Sequence, residues 1–310
     1  MDFNRYSVGL HKLIYHTQHI QNICDSKTVA PIHVSIWPTI KCQCNCSYCC
    51  CKNIKDKTKE LSLDDFKLAI NILSKYGCKA IEFSGGGEPL LWPHIEEAID
   101  YASNKKLKIS LITNGLSLCN ISKNSLSKLA WIRISLQSLS HVNNLKLSNI
   151  PENINISTSY IIGNVEKLDI IDNLYIWAKE KNIIVRIAAQ RPSTLERESD
   201  INAYVSKYLD FIFFSKKATG QPLGCYMAWI RAAIDWNGNF LPCPSIQLTP
   251  EYEGYIPSKF NLCKIKDLEQ WLLNNPPHDL KYNCSFCNCG KEHNDFIHNL
   301  LKGVKDVEFV

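Results

Sequence analysis

Between residues 33 and 190, short apolar runs alternate with helical patterns, and that alternation leaves the chain few architectures. His33–Trp37, Lys79–Phe83, Leu107–Ile112, Trp131–Leu136, Ile154–Ile162 and Ile183–Ala188 read as strands. Ser62 followed by Asp65 resembles a capping box that opens a helix to about Tyr76, stopped by Gly77. Pro93 starts a second helix to about Ser103, Ser122–Ala130 reads as a short one, and Val165–Lys181 is the clearest amphipathic segment. Strands alternating with helices imply βα units and a parallel sheet. Six units are too few to close an eight-fold barrel, so the expected fold is α/β, a partial (βα)6 TIM-like barrel. Residues 1–32 read as an N-terminal helical lead-in closed by Pro31. After about residue 190 the alternation fails. Arg191–Asp200 reads as a linker, and 201–214 as one more helix. Met227–Asp235 and Phe240–Leu241 flank Asn237-Gly238, a hairpin-turn signal. The expected organisation is a lead-in over 1–32, a barrel core over 33–195, and a small cysteine-rich extension with its linker helix over 196–310.

No apolar stretch approaches the roughly 18–20 residues that span a bilayer, and Met1-Asp-Phe-Asn-Arg5 has no apolar signal core. A cytoplasmic protein without a membrane partner is therefore expected. In that reducing compartment disulfides are rare, so 15 cysteines point to metal ligation. The net charge of +5 allows an anionic substrate but falls short of a nucleic-acid footprint. Cys42, Cys44, Cys46, Cys49, Cys50 and Cys51 form one group, and Cys225, Cys243, Cys263, Cys284, Cys287 and Cys289 a second. Two groups suggest two metal centres. Cys24, Cys78 and Cys119 stand apart and read as small buried apolar residues.

In a βα barrel, chemistry gathers where strands end. After the first strand comes Cys42-Gln-Cys-Asn-Cys46-Ser-Tyr-Cys49, a C-x3-C-x2-C spacing. Three thiolates on one loop can hold three corners of a 4Fe–4S cubane and leave the fourth iron open. Zinc is the alternative metal, with Cys50 and Cys51 able to add ligands. After the second strand comes Ser84-Gly85-Gly86-Gly87-Glu88-Pro89, where glycines allow close approach to backbone and Glu88 can accept from a ligand amine. Thr113-Asn114-Gly115 follows the third strand, and the fourth carries Arg133, Ser135, Gln137 and Ser138.

In this order, these motifs resemble the radical S-adenosylmethionine (radical SAM) superfamily over about residues 33–190. The resemblance implies that Cys42, Cys46 and Cys49 ligate the catalytic cluster, whose open iron S-adenosylmethionine would chelate. It places Gly86, Gly87 and Glu88 at the amino group of that cofactor, Tyr48 at the adenine, and Asn114 and Ser135 near the ribose and methionine. It further implies reductive cleavage to a 5′-deoxyadenosyl radical that takes hydrogen from a substrate carbon, with an electron donor such as flavodoxin or ferredoxin. Gln137 stands where relatives often have Asp, and Cys44, Cys50 and Cys51 match no ligand position.

Near the C-terminus, Cys225 and Cys243 bracket the predicted hairpin, and Cys284-Ser-Phe-Cys287 lies about 40 residues on. Four such thiolates can close a metal site, and zinc ribbons use the same logic. Beside a radical SAM barrel the arrangement resembles the Twitch/SPASM extension, which implies one auxiliary 4Fe–4S cluster on Cys225, Cys243, Cys284 and Cys287. Cys289 and Cys263 are possible substitutes. The layout is similar to that of aminocyclitol dehydrogenases from antibiotic pathways. With no open iron, such a cluster would move electrons, and a substrate radical that loses a proton and an electron is oxidised. The leading expectation is therefore dehydrogenation of a sugar-like or other small polar substrate. Modification of a ribosomally made peptide comes second, because only about 32 residues precede the first strand. A non-catalytic zinc-binding module and a transfer-RNA modifier come further behind. Arg186, Gln190, Arg191, Tyr160 and Tyr226 are candidates for a base or proton donor.

Overall fold

A computed structural model describes residues 9–54, 56–137, 141, 145, 147–191, 193–208, 210–215, 220–248, 260–281, 287 and 290–303. The lead-in is a 3₁₀ turn (Leu10–His16) running into α1 (Thr17–Cys24). The barrel strands are β1 (His33–Ile36), β2 (Ala80–Phe83), β3 (Lys108–Thr113), β4 (Leu129–Leu136), β5 (Asn155–Ile162), β6 (Ile184–Ala189) and β7 (Ile212–Phe214), all paired in parallel in that order. Between them lie α2 (Leu63–Lys75), α3 (Ile95–Asn104), α4 (Lys123–Ser127), α5 (Ile170–Lys181) and α6 (Leu195–Val205).

Ser62 caps α2 as its spacing predicts, accepting from the Asp65 N–H at 3.0 Å. Phe66, Ile70 and Leu73 of α2 pack on Ile81 and Phe83 of β2 in the main core, with Trp92 edge-on to Phe66. The strand residues in between face the other way, into the barrel. Ile132, Ile134 and Leu136 thus join the core under the helices, while Arg133 and Ser135 lie on the inner face.

Two expectations change. Residues 201–214 do not form one helix, because the aromatic run Ile212-Phe-Phe214 pairs with Val185–Ile187 as a seventh parallel strand. The parallel strand order therefore continues past residue 195. The hairpin also does not stand apart from the barrel. Its strands β8 (Arg231–Ile234) and β9 (Asn239–Leu241) join the same sheet, β8 lying parallel to β1 from His33↔Arg231 to Ile36↔Ile234. The two-residue β10 (Cys263–Lys264) completes the order β10-β9-β8-β1-β2-β3-β4-β5-β6-β7. The sheet remains open, a partial barrel with β1 inside it rather than at its edge. Pairing β1 on both sides satisfies backbone groups that an edge strand would expose.

Behind the hairpin, Tyr226–Ile230 packs with Leu13 and Ile23 of the lead-in and Ile297 of the C-terminal α8 (Lys291–Lys302) as a second, smaller core. Between hairpin and α8, α7 (Leu268–Asn274) packs Leu268 and Leu272 into the main core. No described helix is long and apolar enough to cross a membrane.

Candidate active site at the strand ends

Cys42, Cys46 and Cys49 lie on the loop that leaves β1, and Cys49 N–H closes a turn on Cys46 O at 3.1 Å. That loop is pinned to the glycine turn after β2 by two backbone bonds. Gly87 N–H donates to Thr39 O at 2.8 Å and Glu88 N–H to Lys41 O at 2.7 Å. A Cβ on Gly87 would sit 2.0 Å from Lys41 O, so glycine is required there by chain-to-chain contact. A Cβ on Gly86 would meet the Trp236 ring at 2.4 Å, which ties the same turn to the hairpin. Gln247 adds a further tie through its Nε2 to Gly85 O at 3.2 Å.

Glu88 is 2 % exposed and its carboxylate serves the chain itself. It accepts from the Thr113 hydroxyl at 2.5 Å, the Asn114 N–H at 2.7 Å and the Leu90 N–H at 3.1 Å. Burial outweighs these bonds and raises its pKa above the ordinary carboxylate range. Asn114, so held, turns its Nδ2 toward Cys44 Sγ at 3.4 Å and Cys42 Sγ at 4.0 Å. Gln43 donates to Asn114 Oδ1 at 3.4 Å from the cysteine loop. Tyr48 reaches across to the Leu136 carbonyl at 3.4 Å, at the end of β4, one residue beyond Ser135. Every residue expected at the cofactor thus lies at the C-terminal end of β1, β2, β3 or β4.

Among the described residues, no three His, Cys, Asp or Glu side chains converge as a preformed metal site. The donor set fits an iron–sulfur cluster through its chemistry and surroundings: three thiols on one loop, beside a turn without side chains. Burial pushes the Cys42 thiol up to about 11 and raises those of Cys46 and Cys49 as well, so a bound metal would have to displace their protons. Cys44, which matches no ligand position, is the thiol nearest the Asn114 amide.

In the second group, Cys225 N–H donates to Asp279 Oδ1 at 2.9 Å, and Leu280 N–H to Cys225 O at 3.1 Å. Buried Asn294 accepts the Tyr226 N–H at 2.7 Å and lies 4.0 Å from Cys287 Sγ, bringing the neighbourhoods of Cys225 and Cys287 together. Cys243 packs between the second core and the Trp37–Trp236 cluster. Cys263 lies in β10 against the main core. Cys284 and Cys289 lie outside the described residues. Of the isolated cysteines, Cys78 is buried, whereas Cys119 is exposed and Cys24 half-buried.

The candidate acid–base residues separate. Arg191 is taken by Glu198 at 2.5 Å, Tyr160 by Glu166 at 2.6 Å on the helix side of β5, and Tyr226 by His298 at 3.0 Å. Arg186 lies on the inner face of β6. The strand-end motifs did not flag Glu82 and Arg231, which pair inside the barrel at 3.3 Å. The only sequence signal was their place in the alternation of β2 and β8.

Residues 38–168 match the family model of the radical SAM superfamily, and the hairpin, β10, α7 and α8 follow the matched segment. That superfamily binds a 4Fe–4S cluster and S-adenosylmethionine. The chain is 28% identical over 85 residues to the subtilosin biosynthesis protein AlbA of Bacillus subtilis, covering 27% of this chain and 19% of AlbA. It is 35% identical over 94 residues to a probable GTP 3′,8-cyclase of Methanococcus maripaludis, 30% of this chain and 31% of that protein. These matches thus span between a fifth and a third of the relatives' lengths. In fold, Streptococcus suis SuiB bound to its precursor peptide SuiA aligns with a TM-score of 0.61 at 16% identity, covering 87% of this chain and 71% of SuiB.

Proposed function

We propose that this protein is a radical SAM enzyme that removes a hydrogen atom from a carbon of a peptide substrate. The observation that carries the reading is the docking of Thr39 and Lys41, which lead into the Cys42–Cys49 loop, onto Gly87 and Glu88, with Glu88 in turn fixing Asn114. When bound and reduced, the cluster with S-adenosylmethionine supplies a carbon radical able to take hydrogen from an unactivated C–H bond. Cys42, Cys46 and Cys49 would hold the cluster. Glu88 orients Asn114 from behind, and Tyr48 closes the site toward β4. The sheet and its helices would have to keep water from the inner face, because a reactive radical requires it.

Peptide modification moves ahead of the small polar substrate favoured by sequence. It is supported by the names of the relatives: AlbA belongs to a bacteriocin's biosynthesis, and SuiB was captured with a precursor peptide. Cys225, Cys243, Cys284 and Cys287 would hold an auxiliary cluster and give the enzyme an electron acceptor, which favours net oxidation of the peptide. The protein would work in the cytoplasm with a flavodoxin- or ferredoxin-like donor.

The test uses anaerobically reconstituted, dithionite-reduced protein. It should cleave S-adenosylmethionine, and the triple variant of Cys42, Cys46 and Cys49 to Ala should not. Incubation with peptides encoded beside its gene should give a product lighter by two hydrogens. Cleavage surviving in the triple variant would remove the cluster assignment. Cleavage in the wild type with only a small-molecule product would restore the earlier order of substrates.

A further inference from the structure

The Asn114 side chain is fixed at both ends of its amide. Its Oδ1 accepts from Leu116 N–H at 3.0 Å and from Gln43 Nε2 at 3.4 Å. Gln43 is steadied in turn by the Ser117 hydroxyl at 3.3 Å. The Asn114 Nδ2 faces sulfur, with Cys44 Sγ at 3.4 Å and Cys42 Sγ at 4.0 Å. Turned end for end, the amide would set its NH2 group against two N–H donors and its oxygen against two sulfurs, so the surrounding bonds select one orientation. The backbone cannot drift either, because Glu88 Oε2 holds the Asn114 N–H at 2.7 Å. Asn114 is only 6 % exposed, so water competes little for its donor. Cys42 Sγ also takes the Cys44 backbone N–H at 3.4 Å. Two N–H groups therefore point at the Cys42 sulfur, one from its own loop and one from the end of β3. Thiols are weak acceptors, whereas an ionised sulfur draws a donor more strongly. Ionisation of Cys42 on binding iron would thus pull the amide toward Cys42 and away from Cys44.

We propose that Asn114 is a positioning residue for the cluster itself: its amide donates to the Cys42 thiolate and so sets how readily the cluster accepts an electron. The reduced cluster carries one more negative charge than the oxidised one, and part of that charge lies on sulfur. A donor on a ligand sulfur therefore favours the reduced state and raises the potential. The step it tunes is the passage of one electron from the external donor protein, which is oxidised, to the cluster, which is reduced. This rests on the radical reading above and is independent of the substrate.

The readout is the midpoint potential of the catalytic cluster in reconstituted full-length protein. Its electron paramagnetic resonance signal is recognised by its change on adding S-adenosylmethionine, then followed in dithionite titrations without that cofactor. Asn114→Ala removes the donor. Asn114→Asp keeps an oxygen for Leu116 and Gln43 and puts a negative atom where the donor was. At a fixed poise, the ratio of reduced to oxidised cluster should fall at least threefold in Asn114→Ala, about 30 mV for one electron, and further in Asn114→Asp. Cys44→Ser should leave the midpoint where it is. If the Asn114 variants do not take up the cluster, Gln43→Leu, at an exposed position, carries the test. A lowered midpoint there supports the proposal and an unchanged one overturns it. Unchanged midpoints in both Asn114 variants, with the wild type still cleaving S-adenosylmethionine, would overturn this proposal and leave the radical reading standing. A midpoint moved as far by Cys44→Ser would make Cys44 the sulfur that the amide serves, and would overturn it too. A wild type that takes up no iron–sulfur cluster would defeat the radical reading and this proposal with it.

Discussion

At Glu88, one buried carboxylate holds three donors from two different loops. Its sequence signature is legible as part of a glycine-rich turn, but its partners are not. Thr113 and Asn114 lie about 25 residues on and meet it only once β2 and β3 have paired. Residue spacing thus singled out the glycine turn and missed how it is braced. Glu88→Ala should orphan these donors and cost on the order of 3 kcal/mol or more of stability, read by denaturant unfolding. It should also weaken S-adenosylmethionine binding, by calorimetry, because Asn114 loses its anchor. If binding falls while stability holds, Glu88 contacts the ligand and does not act through Asn114. At the start of α2 a smaller effect is expected: Ser62→Ala removes the bond to Asp65 N–H and should cost about 1 kcal/mol.

Among elements, the contact that matters most joins the glycine turn to the hairpin. Gly86 faces the Trp236 ring so closely that even a methyl must displace it. Gly86→Ala should therefore lower stability, whereas adding Trp236→Ala should recover part of that loss, because the second change empties the space the first one needs. A double-mutant cycle measures this coupling, expected at roughly 0.5–3 kcal/mol for touching residues. Strictly additive losses would mean that turn and hairpin are independent. The alternation from β1 to β6 was legible because each strand's apolar side must meet a helix. Ile212–Phe214 was not, since a three-residue apolar run is as compatible with a helix end as with an edge strand. The Asn237-Gly238 turn was readable, with Gly238 at φ +68°. That its first strand lies parallel to β1 was not, because nothing local in Arg231–Ile234 names a partner about 200 residues earlier.

For the molecule as a whole, metal content separates the readings of the second cysteine group. Anaerobically reconstituted wild type should carry about eight irons per chain, falling to about four when Cys225, Cys243, Cys284 and Cys287 become Ala, the content of one cubane. Substrate-free cleavage of S-adenosylmethionine should continue in that variant. Four irons and one zinc in the wild type would make the extension a structural zinc unit and remove its support for a net oxidation. The place of β1 between β2 and β8 also bears on how the chain is made. A ribosome delivers β1 early and β8 only after residue 231 has emerged, which at ordinary synthesis rates is a wait of roughly 10–40 s. During that interval the first strand offers an open row of amides and carbonyls to any neighbour. The nascent protein is most vulnerable to sticking while the polypeptide that will shield it has yet to be translated. Faster elongation through the middle of the message would shorten that exposure without altering a single residue.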